Sequence, residues 1–330
     1  MMGTGTFAEP TFEALLSTFG DDVVGLVTQP ERDGGNKRGS TRQTGKGMAH
    51  IARGSPRVLT IAQPESINSP EGLAALREIK PDLMVVAAYG QILSKDVLTV
   101  PTVGTINVHA SLLPKYRGAA PVAYAILNGE QQTGVTIIKV TPGLDSGDMI
   151  LQEAIDILPD ETTGELEARL AMLGAKLAVD AVRMHQSGEP VVGVKQDPSL
   201  VTKAPKIKKE FGLIDWSKYP EEIDRHVRAM QPWPTAYTFL HRPGKEPMRV
   251  IVCRVGRSEG VTNLHQEISP GTPWGGGLEN SKELLMFLVN QNFVSIDELQ
   301  PAGKKKMTAE EFLRGNPIVE GMRFGPEVLS

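Results

Sequence analysis

Thr105-Ile-Asn-Val-His-Ala-Ser-Leu-Leu-Pro-Lys-Tyr-Arg-Gly118 holds two different structural instructions in one short stretch. Its first half alternates, with Ile106 and Val108 on one face and Thr105, Asn107 and His109 on the other. That is the period of a strand with one apolar side. Asn107 and His109 therefore share a face, about 6.6 Å apart along the strand. The second half is broken by Pro114 and Gly118, and a helical pattern resumes over Ala119 to Gly129. Strand, loop and helix in that order are how an open α/β sheet brings reactive side chains to its carboxyl edge.

The flanking sequence extends the same pattern. A helix is expected over Glu9 to Phe19, with Phe12, Leu15, Leu16 and Phe19 inward, and strands over Val23 to Thr28 and Leu59 to Ala62. Pro70 to Lys80 reads as a helix with Leu73, Leu76 and Ile79 inward. Asp82 to Ala88 is a continuous apolar run, as suits a strand covered on both faces, and it ends at Tyr89-Gly90. Gly134 to Val140 is a further strand, followed by a loop containing Asp145. Thr163 caps a long helix marked by Leu166, Leu170, Leu173 and Leu177, which fades at Gln186 to Pro190. The expectation for residues 1–187 is a doubly wound, mostly parallel sheet.

Residues 188–210 read as a linker, with Pro190, Pro198 and Pro205 and the bases Lys203, Lys206, Lys208 and Lys209. Beyond it, Pro220 to Met230 is a helix closed by the corner Gln231-Pro-Trp-Pro234. Short alternating runs follow at Ala236 to Leu240, Met248 to Val255, Leu284 to Val289 and Phe293 to Asp297. Turn residues separate them, which predicts a small OB-like β-barrel over 211–330. The glycine-rich stretch 256–281 sets no strand register, and Thr308 caps a last helix through Leu313.

The bulk numbers narrow the function class. A chain of 330 residues, 40% hydrophobic, suits two domains with cores. Cys253 is the single cysteine, so no internal disulfide forms and a cytoplasmic protein is expected. No signal peptide pattern and no membrane-spanning run is evident. A net charge of −4 argues against a general nucleic-acid binder. The segment Glu31 to Arg57 departs from that balance, with seven basic against two acidic side chains. Its glycines suggest a mobile loop. The opening Met-Met-Gly-Thr-Gly-Thr-Phe-Ala spells G-x-G-x-x-A, but only two residues precede Gly3. The second strand also ends at Gln29 rather than at an acidic residue, so the dinucleotide reading fails. The expectation is a shortened central strand or a start further upstream. The six histidines and one cysteine show no zinc-like spacing, and no metal site is expected.

Five segments together resemble the folate-dependent formyltransferases. They are Ser111-Leu-Leu-Pro114, Arg117-Gly-Ala-Ala-Pro121, Gly134-Val-Thr-Ile-Ile138, Gly143-Leu-Asp-Ser-Gly-Asp148 and, near the end, Leu299-Gln-Pro-Ala-Gly-Lys-Lys-Lys-Met307. The resemblance implies a Rossmann-like catalytic domain in which Asn107, His109 and Asp145 form the catalytic set. It also implies that Ser111, Leu112, Leu113 and Pro114 line the pocket for the donor, 10-formyltetrahydrofolate. An insertion after Thr28-Gln-Pro30 implies contact with a tRNA acceptor end through Arg38 and Arg42, which Lys206 and Lys304 extend. The acceptor so implied is the α-amino group of methionine on initiator tRNA, and a monomer is expected.

The chemistry suits these residue types. Formyl transfer to an amine passes through a tetrahedral oxyanion, which the uncharged N–H pair of Asn107 can hold. Imidazole ionises near neutral pH, so His109 can add charge or a proton. Asp145 can orient that ring or relay the amine proton through water. Asp148 is a rival carboxylate whose structural reading is a turn cap. Three alternatives stand beside this reading. Amino-sugar formyltransferases can carry a similar second domain. Glycinamide ribonucleotide formyltransferases typically consist of the catalytic domain alone. A non-catalytic RNA-binding protein would use only the barrel and the lysines.

Overall fold

In the computed structural model, which describes residues 1–30, 47–54, 59–258, 269–273, 285–289 and 292–329, eight strands open the chain. They are β1 (Met2–Gly3), β2 (Gly25–Val27), β3 (Thr60–Ala62), β4 (Leu83–Ala87), β5 (Gly104–His109), β6 (Arg117–Gly118), β7 (Gln132–Lys139) and β8 (Met149–Asp156). All but β6 join one sheet in the order β3-β2-β1-β4-β5-β7-β8. The helices of this part are α1 (Ala8–Phe19), α2 (Met48–Arg53), α3 (Pro70–Ile79), α4 (Lys95–Leu98), α5 (Pro121–Leu127) and α6 (Thr163–Gln186). The chain forms two units: residues 1–125, 130–159 and 164–206, and residues 126–129, 160–163 and 207–330.

The sheet is mixed and mostly parallel. From β3 to β5 every pairing is parallel, whereas β7 runs antiparallel to β5 and β8 antiparallel to β7. The reversal has a geometric cause. α5 is only 7 residues long, a rise of about 10 Å. Returning to the start of a strand such as β5 takes roughly twice that. The chain therefore turns back from the edge at which β5 ends. β8 escaped the sequence reading because Gln152, Glu153 and Asp156 interrupt its apolar residues on a partly exposed edge.

The alternation in β5 has the predicted consequence for packing. A Cβ added at Gly174 of α6 would lie 2.7 Å from Val108 Cγ1, so the helix sits directly on the Ile106–Val108 face. Asn107 and His109 are left on the opposite face. Two expectations need correction. The polar segment 31–57, expected as a mobile loop, contains the helix α2 with Met48, Ala49 and Ala52 buried, while its residues 31–46 and 55–57 lie outside the described residues. The stretch read as a linker is tied into the first unit: Met149 and Val194 exchange backbone hydrogen bonds, and β9 (Lys203–Ala204) pairs with β6.

The second unit holds α7 (Pro220–Ala229), β10 (Ala236–Arg242), β11 (Lys245–Ser258), β12 (Leu285–Val289), β13 (Asn292–Pro301), β14 (Met307–Thr308), α8 (Ala309–Gly315) and β15 (Arg323–Gly325). Its pairings are antiparallel, in the order β12-β13-β11-β10-β15, with β14 beside β13. Register shifts at Arg254 kink β11, as bulges do when a sheet curls. The result is a half-barrel, open along that path among the described residues. Thr308 caps α8 as expected, its hydroxyl accepting from the Glu311 N–H at 3.2 Å.

Candidate active site

β5 lies between β4 and β7, where Asn107 stands opposite Val86 on one side and Ile138 on the other. Central placement fixes its backbone, and the face it shares with His109 carries the polar groups. His109 is buried. Its Nε2 lies 3.0 Å from the Tyr116 carbonyl oxygen, which can only accept, so that nitrogen carries the proton. The other ring nitrogen, Nδ1, faces Asp145 Oδ2 at 3.8 Å. That separation is too long for a hydrogen bond and is within ion-pair reach only of a doubly protonated ring. The imidazole is therefore held by a backbone carbonyl, and Asp145 is poised beside it.

The carbonyl is itself held. Tyr116 has φ 63°. Its N–H donates to Thr202 Oγ1 at 2.8 Å, and its hydroxyl donates to Glu130 Oε1 at 2.7 Å. The Tyr116 bond foremost, and Lys115 beside it, keep the Glu130 carboxyl below the usual carboxylate range against the effect of burial. Asp145 also has a left-handed backbone, φ 46°. Its Oδ2 accepts the Gly118 N–H at 2.8 Å. Gly118 has φ +127°, and a Cβ there would come 2.5 Å from the Ala204 carbonyl oxygen of β9. Glycine is thus required for that N–H to be aimed while β6 lies against β9.

Asn107 differs from both. It is half-buried, and its side-chain amide has no hydrogen-bond partner among the described residues. Of the four residues expected at the folate pocket, Ser111 and Leu113 are buried, while Leu112 and Pro114 keep partial exposure. Ser111 Oγ donates to the Lys115 carbonyl at 2.7 Å. Thr136 Oγ1 donates to the Ser111 carbonyl at 2.6 Å. These bonds make Ser111 a brace of the turn. The turn-cap reading of Asp148 finds no bond to carry it: its backbone carbonyl accepts from the Lys139 N–H, and no hydrogen bond to its carboxylate is present among the described residues.

Arg38 and Arg42 lie outside the described residues. Lys206 and Lys304 are exposed, one in each unit. Among the described residues no helix is long and apolar enough to cross a membrane.

Residues 1–182 match the model of the family described as formyl transferase, and residues 206–317 match that of the formyl transferase C-terminal domain. The methionyl-tRNA formyltransferase of Geotalea uraniireducens is 41% identical over 324 residues, 98% of this chain and 96% of that protein. The chain belongs to the methionyl-tRNA formyltransferases. Solved structures agree on the fold. The N-formyltransferase from Helicobacter canadensis, in complex with folinic acid and dTDP-3-aminofucose, superposes with a TM-score of 0.61 at 18% identity, over 90% of this chain and 99% of that one. A variant of HypX from Aquifex aeolicus superposes with a TM-score of 0.56 at 17% identity, over 82% of this chain. This chain spans only 46% of HypX.

The sequence singles out Asn107, His109 and Asp145 as candidates but not the groups that hold two of them. Tyr116 and Gly118 lie inside the stretch that decided the fold, yet both act through backbone atoms. Thr202 and Gln196 lie in the stretch read as a linker, where no periodicity marks a residue that folds back. The signal available was Gly118 itself, a glycine four residues beyond Pro114.

Proposed function

We propose that Asn107, His109 and Asp145 perform this enzyme's reaction, the transfer of a formyl group from 10-formyltetrahydrofolate to the α-amino group of methionyl-tRNA. The observation that carries the proposal is the division of labour within one face and one loop. His109 and Asp145 are anchored by backbone groups, and Asn107 beside them keeps its amide unengaged. An amide with no internal partner is free to donate to the oxyanion that develops as the amine nitrogen bonds to the formyl carbon. Asp145 Oδ1 accepts no hydrogen bond among the described residues, so it can take the proton the amine loses. His109 Nδ1, on the same side, carries or returns a proton to the folate nitrogen as the old carbon–nitrogen bond breaks. Leu112 and Pro114 give the donor apolar contact, and Ser111 and Leu113 keep that turn in place.

Initiator tRNA is the acceptor in this reading. Arg38, Arg42, Lys206 and Lys304 meet its phosphates, and the enzyme works as a cytoplasmic monomer. The acceptor test supplies 10-formyltetrahydrofolate with methionyl-initiator tRNA, glycinamide ribonucleotide or a nucleotide-linked amino-sugar. Turnover confined to the tRNA is expected, and comparable turnover of the amino-sugar would overturn the acceptor assignment. Arg38→Glu with Arg42→Glu should flatten the salt dependence of tRNA affinity, because each lost phosphate contact removes released counterions. An unchanged slope would take both residues out of the interface.

A further inference from the structure

We propose that Gln196 is a positioning residue for formyl transfer, which holds the Asp145 loop in its working conformation without touching either substrate. The proposal rests on the assignment of Asp145 made above. Gln196 lies between α6 and β9 and is 9% exposed. Its Nε2 donates to the Asp145 carbonyl at 2.8 Å and to the Gly147 carbonyl at 2.8 Å. Its Oε1 accepts from Arg117 Nε at 3.0 Å and Nη2 at 2.7 Å. Every hydrogen-bonding position of the amide is therefore occupied. The orientation is unambiguous too, since a flipped amide would set its oxygen against two carbonyls and its NH₂ against a cation.

The partners give this bond network its meaning. Asp145 has φ 46°, a region disfavoured for a residue with a Cβ, so its conformation depends on what surrounds it. Gln196 binds the carbonyl of that same residue and of the residue two further on. Through Arg117 it reaches the segment whose neighbours hold the site. Tyr116 supplies the carbonyl on His109, and Gly118 supplies the N–H on Asp145. One buried amide thus ties the loop that carries Asp145 to the loop that anchors His109. The distance it governs is the 3.8 Å between His109 Nδ1 and Asp145 Oδ2.

Residue chemistry makes the role hard to replace. Glutamate keeps an acceptor for Arg117 but has no donor for the two carbonyls. Methionine has the length and neither function. Misplacement of a reacting group by about 1 Å can cost on the order of 10²-fold. We expect Gln196→Glu and Gln196→Met to lower kcat by about 10- to 100-fold. KM for both substrates should stay within about threefold, because Gln196 faces no substrate.

The deciding experiment is a double-mutant cycle with Asp145→Asn, in single turnover with enzyme in excess, on the full chain. If Gln196 acts through Asp145, Gln196→Glu should cost little further in the Asp145→Asn background. A residue that merely stabilises the fold would cost the same factor in both backgrounds and lower the unfolding midpoint in proportion, and that result overturns the proposal. So does a kcat within twofold of the parent for both Gln196 variants. Should one variant fail to fold, the other carries the cycle. An Asp145→Asn enzyme of full activity would instead overturn the assignment of Asp145 and this proposal with it, so the two failures are distinguishable.

Discussion

Around Asn107 the first unit is held by polar bonds to backbone atoms, whereas the second unit is held by aromatic rings. In the first, His109, Tyr116 and Asp145 each bond across loops to a carbonyl, a carboxylate or an N–H. In the second, Trp216 stacks on Phe287 with ring centres 4.2 Å apart at 28°, and Phe287 meets Phe324 edge-on at 5.2 Å. The indole N–H of Trp216 is satisfied by Thr238 Oγ1 at 3.0 Å. Directional bonds fix where a group points, but each contributes only about 0.5–1.5 kcal/mol net. Aromatic burial contributes more and fixes direction less. Substitutions near Asn107 should therefore show first in rate, and substitutions in the aromatic cluster first in stability.

The largest expected effect breaks the second side of that contrast. Phe287 is fully buried between Trp216 and Phe324. Phe287→Ala should destabilise the second unit by about 3–5 kcal/mol, the cost of lost transfer energy plus the cavity left behind. Denaturant unfolding followed by tryptophan emission measures it, since Trp216 loses its stacking partner. An unchanged midpoint would mean that the strands, not the rings, hold this unit.

On the other side, Asn107→Ala should lower kcat about 10²- to 10³-fold, the effect of removing one oxyanion donor. Its amide has no partner among the described residues, so the same variant should unfold at the parent's midpoint. Loss of stability with little loss of rate would invert the comparison and take Asn107 out of catalysis.

The two regions were not equally legible in the sequence. β5 announced itself because alternation and a following Pro–Gly loop survive in one short stretch, and α6 because leucines recur along it at helical spacing. The α2 helix was lost inside a polar, glycine-rich segment since its buried residues, Met48, Ala49 and Ala52, are small or lone apolar positions. The site was half legible for a related reason. The side chains proposed to react have distinctive chemistry, and Asn107, His109 and Asp145 stand in recognisable company. The atoms that hold them are the carbonyl of Tyr116 and the N–H of Gly118, which every residue but proline possesses. Gln196 reaches the loop from about fifty positions away, a separation no periodic pattern records.

The smallest effect sharpens the contrast by asking what a titratable group reports in each unit. His226 sits on α7 with Nε2 buried and without a hydrogen-bond partner, its ring 6.0 Å from that of Phe211. Burial, the leading cause, pushes its pKa below the ordinary 6.5, while a backbone bond with Gly212 and the nearby Asp215 oppose the shift. The sign follows from linkage. Below the unfolded value the unfolded chain binds a proton that the folded chain refuses, so the unfolded state gains. The contribution of neutral His226 is thus complete above pH 6.5 and is lost as pH falls through the lower, folded value. The loss can be no steeper than about 1.4 kcal/mol per pH unit. His226→Leu should therefore flatten the pH dependence of the second unit's unfolding midpoint in the window below pH 6.5, and leave it unaltered above. kcat should keep the parent's pH profile, because the proposed chemistry runs through His109 and not through His226. Parallel stability curves for parent and variant would show that His226 does not govern the acid side of stability. A changed pH–rate profile would show that the second unit's interior does more than hold its strands.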